Sequence, residues 1–451
     1  MKIRRISEFQ TEILFPIFQK HHSSYLSAFK QSNLGKIYAA IPWQQLVKAM
    51  SIRDHKKGPK SFFSPRGKLA LMFLKHYAAC SDDKLMEQLN ANIYYQIFCD
   101  VLIDPATPLQ NAKIISQIRC EIAERLDIDQ VQKVLAGHWK GYCTNKNSIV
   151  CDATCYESYI RYPTDVKLLY EAVVWNYKQL KILSRYSLHK VPRTKMSKWK
   201  RKYGLYSKSR RPSRKATRSI TRGLLRLLRK IDQCLDELPI KKAYKLVPKY
   251  WQRRSTTKQI LAQQWSKFYE GIKPKDRIVS LDKPYIRPIV RGKEIKKVEF
   301  GAKVHKVQID GISFIEHLSF DAFNEGLRLK SSIYQAQKLM NTKVQIVGAD
   351  GIYANNQNRT YVTKYKIKTD FKRKGPPSKH KRHFDQLSRM ITKQRASALE
   401  GSFGTDKEHF LLNRVKARSE LTERLWIFFG IHTSNALKIG KRMAKLLVKA
   451  A

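Results

Sequence analysis

Ser148-Ile-Val-Cys-Asp-Ala-Thr154 and Val344-Gln-Ile-Val-Gly-Ala-Asp350 are the two stretches on which the fold turns. Each is a short apolar run that reaches an aspartate, the pattern of a strand buried on both faces. If the two lie side by side in one mixed sheet, Asp152 and Asp350 project from neighbouring strand ends, where open α/β sheets place their ligands. Acids are scarce here, 36 against 89 Lys and Arg. An aspartate closing an apolar strand in such a chain must therefore pair with a base or do chemistry.

Metal-dependent phosphoryl transfer asks for a few acids close together, so that two ions about 3.5 to 4 Å apart flank the scissile phosphate. Mg²⁺ or Mn²⁺ suits such oxygen ligands. A third acid from a helix packed across the sheet would complete the set, and Glu400, inside the helical stretch from Phe384 to His409, is placed to supply it. Each acid alone has a plainer reading, because a strand-end Asp is most often a turn former or a helix cap. Glu157, Asp165, Asp282, Asp310, Asp370 and Asp406 compete as ligands. Of these, Asp282 before Lys283-Pro284 reads as a turn, and Asp310-Gly311 as a hairpin turn.

The bulk numbers point to the kind of partner. With 451 residues and 42% hydrophobic content, the chain has room for two or three domains and a sizeable core. Its formal charge of +53 demands a polyanion, and nucleic acid leads because neutralised phosphates release condensed counterions. The longest apolar stretches, Leu69 to Cys80 and Leu425 to Ile431, are too short or interrupted to span a bilayer, so no membrane is expected as partner. The N-terminus lacks the layout of a signal peptide, and the seven cysteines form no CxxC pair. Reduced core thiols in a cytoplasmic protein are the expectation.

From Tyr177 to Lys258 there are 27 Lys and Arg against 3 Asp and Glu. Its centre, Lys215 to Leu238, sets Ile220, Leu224, Leu227, Leu228, Ile231 and Leu235 on one helical face and Arg218, Arg222, Arg226 and Arg229 mostly on the other. Such a face is usually just solvated. Here the balancing acids are missing and like charges at four-residue spacing repel, so DNA phosphates are the expected neutraliser.

Before residue 145 the chain reads as helical, with segments at Ile41 to Met50, Pro65 to Ala79, Asp82 to Asn90 and Pro108 to Leu126. Ser81 is an N-cap signal, and Thr107-Pro108 looks like a cap followed by proline in the first turn. The short join at Ser81 suits a helix-turn-helix, but the signal is weak, because most short helix–helix joins are plain bundle corners. After Arg277, strands are expected at Ile278 to Leu281, Val298 to Val304, Val307 to Ile312 and Ser313 to Phe320, the last three as an antiparallel meander. Helices are expected at Ser332 to Met340 and Glu420 to Val448.

Four blocks tie these pieces together: Asp152-Ala-Thr with Glu157-Ser-Tyr-Ile-Arg-Tyr-Pro-Thr; Arg287-Pro-Ile-Val-Arg-Gly-Lys with Val298-Glu-Phe-Gly-Ala-Lys; Gly348-Ala-Asp-Gly-Ile-Tyr; and Glu400-Gly-Ser-Phe-Gly-Thr-Asp-Lys. In this order they resemble the DDE transposases of bacterial insertion sequences, and Pro65 to Asp100 resembles the helical N-terminal domain of that group. The resemblance implies an α/β fold, an RNase H-like mixed sheet flanked by helices. It divides the chain into an N-terminal helical domain for DNA binding or dimerisation (1–145), a first catalytic part (146–176), a basic helical insertion (177–276), and the remaining catalytic part with a C-terminal helix (277–451). Catalytic and metal-holding roles fall on Asp152, Asp350 and Glu400, with two Mg²⁺ (or Mn²⁺) ions. It also implies terminal inverted repeats and target DNA as substrates and a homodimer in the DNA complex. Glu400 and Lys407 keep the family's seven-residue step, and Lys407 becomes a candidate phosphate contact. Arg395, a second candidate DNA contact, stands five residues before the glutamate where the family has four, and no Tyr precedes it. Two alternatives stay open: a basic nucleic-acid-binding protein with incidental acids, and a metal nuclease that cuts without joining.

Overall fold

The computed structural model describes residues 16–54, 61–187, 190–238, 248–290, 297–372, 375 and 381–450. In chain order, eight helices come first: α1 (Pro16–Gln31), α2 (Asn33–Ala39), α3 (Trp43–Ala49), α4 (Pro65–Ala78), α5 (Asp82–Ala91), α6 (Ile93–Cys99), α7 (Lys113–Ala123) and α8 (Ile128–Trp139). Strand β1 (Ser148–Ser158) is followed by α9 (Asp165–Tyr186), α10 (Met196–Lys208), α11 (Arg214–Glu237), α12 (Pro248–Trp265) and the short β2 (Pro288–Val290). Next come β3 (Val298–Ile309), β4 (Ile312–Ser319), α13 (Leu329–Met340), β5 (Ile346–Ala349), α14 (Asn356–Lys364) and β6 (Lys368–Thr369). The chain continues through α15 (Lys381–Gln394), a π-helical turn (Arg395–Glu400), α16 (Gly401–His409), β7 (Arg414–Val415) and α17 (Glu420–Ala450).

Small polar side chains start the early helices. Ser32, Ser64, Ser81, Asn92 and Asp127 each accept a hydrogen bond from a backbone N–H in the first turn of the helix they precede. The expected start at Thr107-Pro108 fails, and α7 begins at Lys113. Asn90 is the reason: its Oδ1 accepts from Leu109 N–H at 3.0 Å and its Nδ2 donates to Leu109 O at 2.9 Å, which satisfies that backbone without a helix. The join at Ser81 is a bundle corner. Leu85, Met86 and Leu89 of α5 turn inward, and the exposed Asp83, Lys84 and Glu87 present two acids and one base to solvent.

The chain divides into two compact units: residues 1–158 with 302–319 and 323–451, and residues 159–301 with 320–322. In the first unit the strands run in the order β4-β3-β1-β5-β6. Strands β1 and β5 are parallel, as are β5 and β6, while β3 and β4 form an antiparallel hairpin. Asp310 and Gly311 turn that hairpin with φ of +49° and +77°, as a two-residue turn of the expected kind requires. The two strands expected on either side of His305 are one continuous β3. The pairing slips between His305 and Lys306 because Glu316 is an extra residue on β4, a bulge. The outer edge of β4 is closed by amide side chains: Gln132 holds both polar groups of Ile315, and Asn435 those of Ser313. Helix α17 packs on α2, α4 and α7, so the early helices share a core with the sheet.

The second unit is built on α9, α11 and α12 around Leu169, Leu180, Leu224, Leu228, Ile231 and Ile260, with Arg254 buried beside Asp232 and Asp236. Ile278 to Leu281 is no strand here. Ile278 and Leu281 join this helical core, and Ile278 N–H goes to Gln263 Oε1 at 3.0 Å, which replaces a strand partner. Strand β2 pairs antiparallel with Val298 to Phe300 within this unit.

Candidate active site

The register of β1 on β5 places Val150 beside Gly348 and Cys151 beside Ala349, where the pairing stops. Asp152 follows in mid-strand, because β1 runs on to Ser158 instead of closing at the aspartate as expected, and Asp350 follows directly after the end of β5. Asp152 is half-buried and its Oδ1 accepts from Ala153 N–H at 2.7 Å. Asp350 is exposed and caps the turn Gly351–Tyr353, accepting from Gly351 N–H at 2.6 Å. Burial pushes the Asp152 carboxyl above the usual carboxylate range; the Ala153 N–H and the Arg395 guanidinium oppose this, and the charges of Glu325 and Asp350 reinforce it.

Two further acids join this end of the sheet. Asp370 follows β6, is buried, and accepts from Ala349 N–H at 3.1 Å. Its carboxyl is also raised, first by burial and then by Asp350, with Arg395 acting against the rise. Glu325 lies in a short 3-10 turn, with Lys303 Nζ 3.4 Å from its Oε2. That turn is latched to the one Asp350 caps: Asn355 and Asn358 both donate to Gly326 O, and a Cβ on Gly326 would stand 2.5 Å from Ile352 O. Below it, Tyr353 Oη lies 2.7 Å from His305 Nε2, whose Nδ1 is 3.0 Å from Glu316 Oε2. Glu325 carries no local sequence signal beyond that of a turn. Only the chain's return from β4 into α13 brings it here.

Arg395 opens the π-helical turn, with Nη1 3.8 Å from Asp350 Oδ1 and Nε 4.0 Å from Asp370 Oδ2. Glu400 closes the same turn and is exposed. Its neighbour Leu399 packs with Phe403 against Val150, and Lys407 Nζ donates to Thr154 Oγ1 at 3.3 Å. Leu399, Phe403 and Lys407 recur every four residues, one stripe of a helix. Val150, Asp152 and Thr154 alternate on one face of β1. The helical run bearing Glu400 thus lies along the strand face that holds Asp152.

Among the described residues, no three His, Cys, Asp or Glu side chains are gathered tightly enough to hold a metal ion as they stand. Asp152 and Asp350 are brought together; Glu400 sits on the element crossing their strand and is not gathered with them. The donor set still suits a hard divalent cation, because it offers carboxylate oxygens whose mutual repulsion such an ion would relieve.

In the second unit, Arg218, Arg222, Arg226 and Arg229 are all exposed on α11, opposite its buried Ile220, Leu224, Leu228 and Ile231. Two of them lie over aromatic rings, Arg218 5.7 Å from Phe268 and Arg229 5.0 Å from Trp265. All seven cysteines are free thiols, and no described helix is long and apolar enough to cross a membrane.

Residues 23–121, under a quarter of the chain, match a family described as Transposase domain (DUF772). No curated protein and no solved structure matches the chain.

Proposed function

We propose, starting from the transposase domain that residues 23–121 carry, that this chain is a DDE-type DNA transposase that cuts at the ends of a mobile element and joins them to target DNA. The observation that carries the reading is the register of β1 on β5, which sets Asp152 and Asp350 side by side with a third helical acid, Glu400, on the run across the same strand. The strand order β4-β3-β1-β5-β6 supports an RNase H-like sheet.

Asp152, Asp350 and Glu400 would hold two Mg²⁺ or Mn²⁺ ions. Such ions, when bound, activate the attacking oxygen and stabilise the leaving one in an in-line displacement. First, water attacks the phosphodiester at the element's end: a P–O bond to water forms, the P–O bond to the 3′ oxygen breaks, and a free 3′-hydroxyl results. That hydroxyl then attacks a target phosphodiester, forming the new P–O bond as the target's own 3′ oxygen leaves. Lys407 holds phosphate near Thr154, and Arg395 shields the Asp350 and Asp370 charges. Arg218, Arg222, Arg226 and Arg229 grip the DNA backbone without reading sequence. Terminal-repeat recognition belongs to residues 1–145, and two ends require a dimer of the chain in the DNA complex.

The test uses the purified chain with labelled DNA from the flanks of its gene, plasmid target and Mg²⁺ or Mn²⁺. Cleaved ends and joined products are expected, both lost in Asp152→Asn while DNA binding is kept. Binding without any cleavage would reduce the chain to a basic nucleic-acid binder. Cleavage with no joined product would make it a nuclease.

A further inference from the structure

Lys306 on β3 is fully buried, and its Nζ lies 2.5 Å from Asp406 Oδ2 on α16. The same oxygen accepts from Tyr156 Oη, on β1, at 2.8 Å. The ammonium also lies 3.4 Å from Ser402 Oγ and 4.5 Å from the Phe403 ring centre. One turn earlier, Gln308 Nε2 donates to Ala398 O at 3.2 Å.

A buried ion pair contributes little to stability, since desolvating both charges costs roughly what their attraction returns, and well-packed apolar residues serve as well or better. What it supplies is direction. The Leu399–Phe403 ridge could slide along β1 with small loss, because apolar contact is non-directional. A carboxylate held by two donors from two strands cannot follow such a slide.

We infer that Lys306, Asp406 and Tyr156 are positioning residues that fix where the run from Glu400 to Lys407 stands along β1, and so where Glu400 meets Asp152. The inference rests on the reaction proposed above. Asp406 adjoins Lys407 and lies six residues from Glu400, so one anchor sets both.

The experiment compares Lys306→Met, Asp406→Leu, their double variant and Tyr156→Phe in the full chain. Each single change at 306 or 406 strands a buried charge and lowers Tm; the double variant restores it. In the double variant and in Tyr156→Phe, cleavage turnover is expected to fall at least tenfold, while DNA Kd rises by no more than it does in Lys407→Ala. Amides of 401–409 should exchange hydrogen faster than in the parent while the remaining core does not. A double variant with parental Tm, parental turnover and parental exchange would overturn the inference. The exchange readout stands apart from the chemistry: faster exchange in a chain whose parent cuts no DNA would keep the anchor and remove the proposed reaction.

Discussion

Asp152 carries its charge at a cost, because burial and the neighbouring Glu325 and Asp350 charges all favour its protonated form. Relieving that cost should stabilise the protein. Asp152→Asn is expected to raise Tm in metal-free buffer, with a gain on the order of 0.5–2 kcal/mol as at other strained functional sites, while cleavage falls about a thousandfold or more. Calorimetry and a gel assay on the same preparation check both halves. The sign of the pH dependence follows from the same shift. A carboxyl raised in the fold binds its proton more tightly folded than unfolded, so its contribution to stability is fullest at acid pH and declines as pH rises through the folded value. Metal ligands must be deprotonated, so Mg²⁺ competes with the proton at Asp152, and the pH midpoint of cleavage should move down as Mg²⁺ concentration rises. A midpoint that does not move with Mg²⁺ concentration would refute the assignment to Asp152.

Helix α11 separates packing from charge along one element. Its buried leucines serve the second unit's core, and its exposed arginines carry charge with few acids nearby to balance it. Replacing Arg222 and Arg226 together by Ala should leave Tm within about 0.5 kcal/mol equivalent and weaken DNA binding uniformly across sequences. The slope of log K against log salt should fall by about 2, at roughly 0.9 for each phosphate no longer neutralised. An unchanged slope would place the DNA elsewhere. This helix was legible in the sequence, because a 3.6-residue apolar period with every other face basic has one physical solution. Ile278 to Leu281 was not, because a short run with three apolar residues looks alike whether it pairs as a strand or plugs a helical core. The Lys306–Asp406 pair was also hidden: nothing local distinguishes a lysine in an apolar run from one that faces solvent.

Across the first unit, Asp152 and Asp350 could be anticipated from the apolar runs that lead into them and Asp370 stood among the competing acids, but nothing singled out Asp370 or pointed to Glu325. Glu325 and Asp370 reach the site by long returns of the chain, and the turns that carry them have no signature beyond a polar residue beside glycine or threonine. Long-range closeness also decides a glycine. Gly440 of α17 lies so near α2 that a Cβ would stand 2.2 Å from Lys36 O. Gly440→Ala should therefore destabilise by about 1–3 kcal/mol from overpacking, despite a helix-propensity gain of roughly 1 kcal/mol. A chemical-denaturation midpoint that rises would show that the two helices can part freely.

The excursion between Ser158 and Ala302 sets a timetable for the nascent chain. The strand bearing Asp152 emerges from the ribosome 143 residues, Tyr159 to Gly301, ahead of its partner segment in the same unit. At about 5–20 residues per second that is a wait of roughly 7–30 s. During that interval the arginine-rich helices can condense by themselves, while the early strand stays unclosed. Helix α17, which seals the early helices, arrives later still. A half-translated product thus carries its arginine-rich unit complete before the strand bearing Asp152 has met its partners.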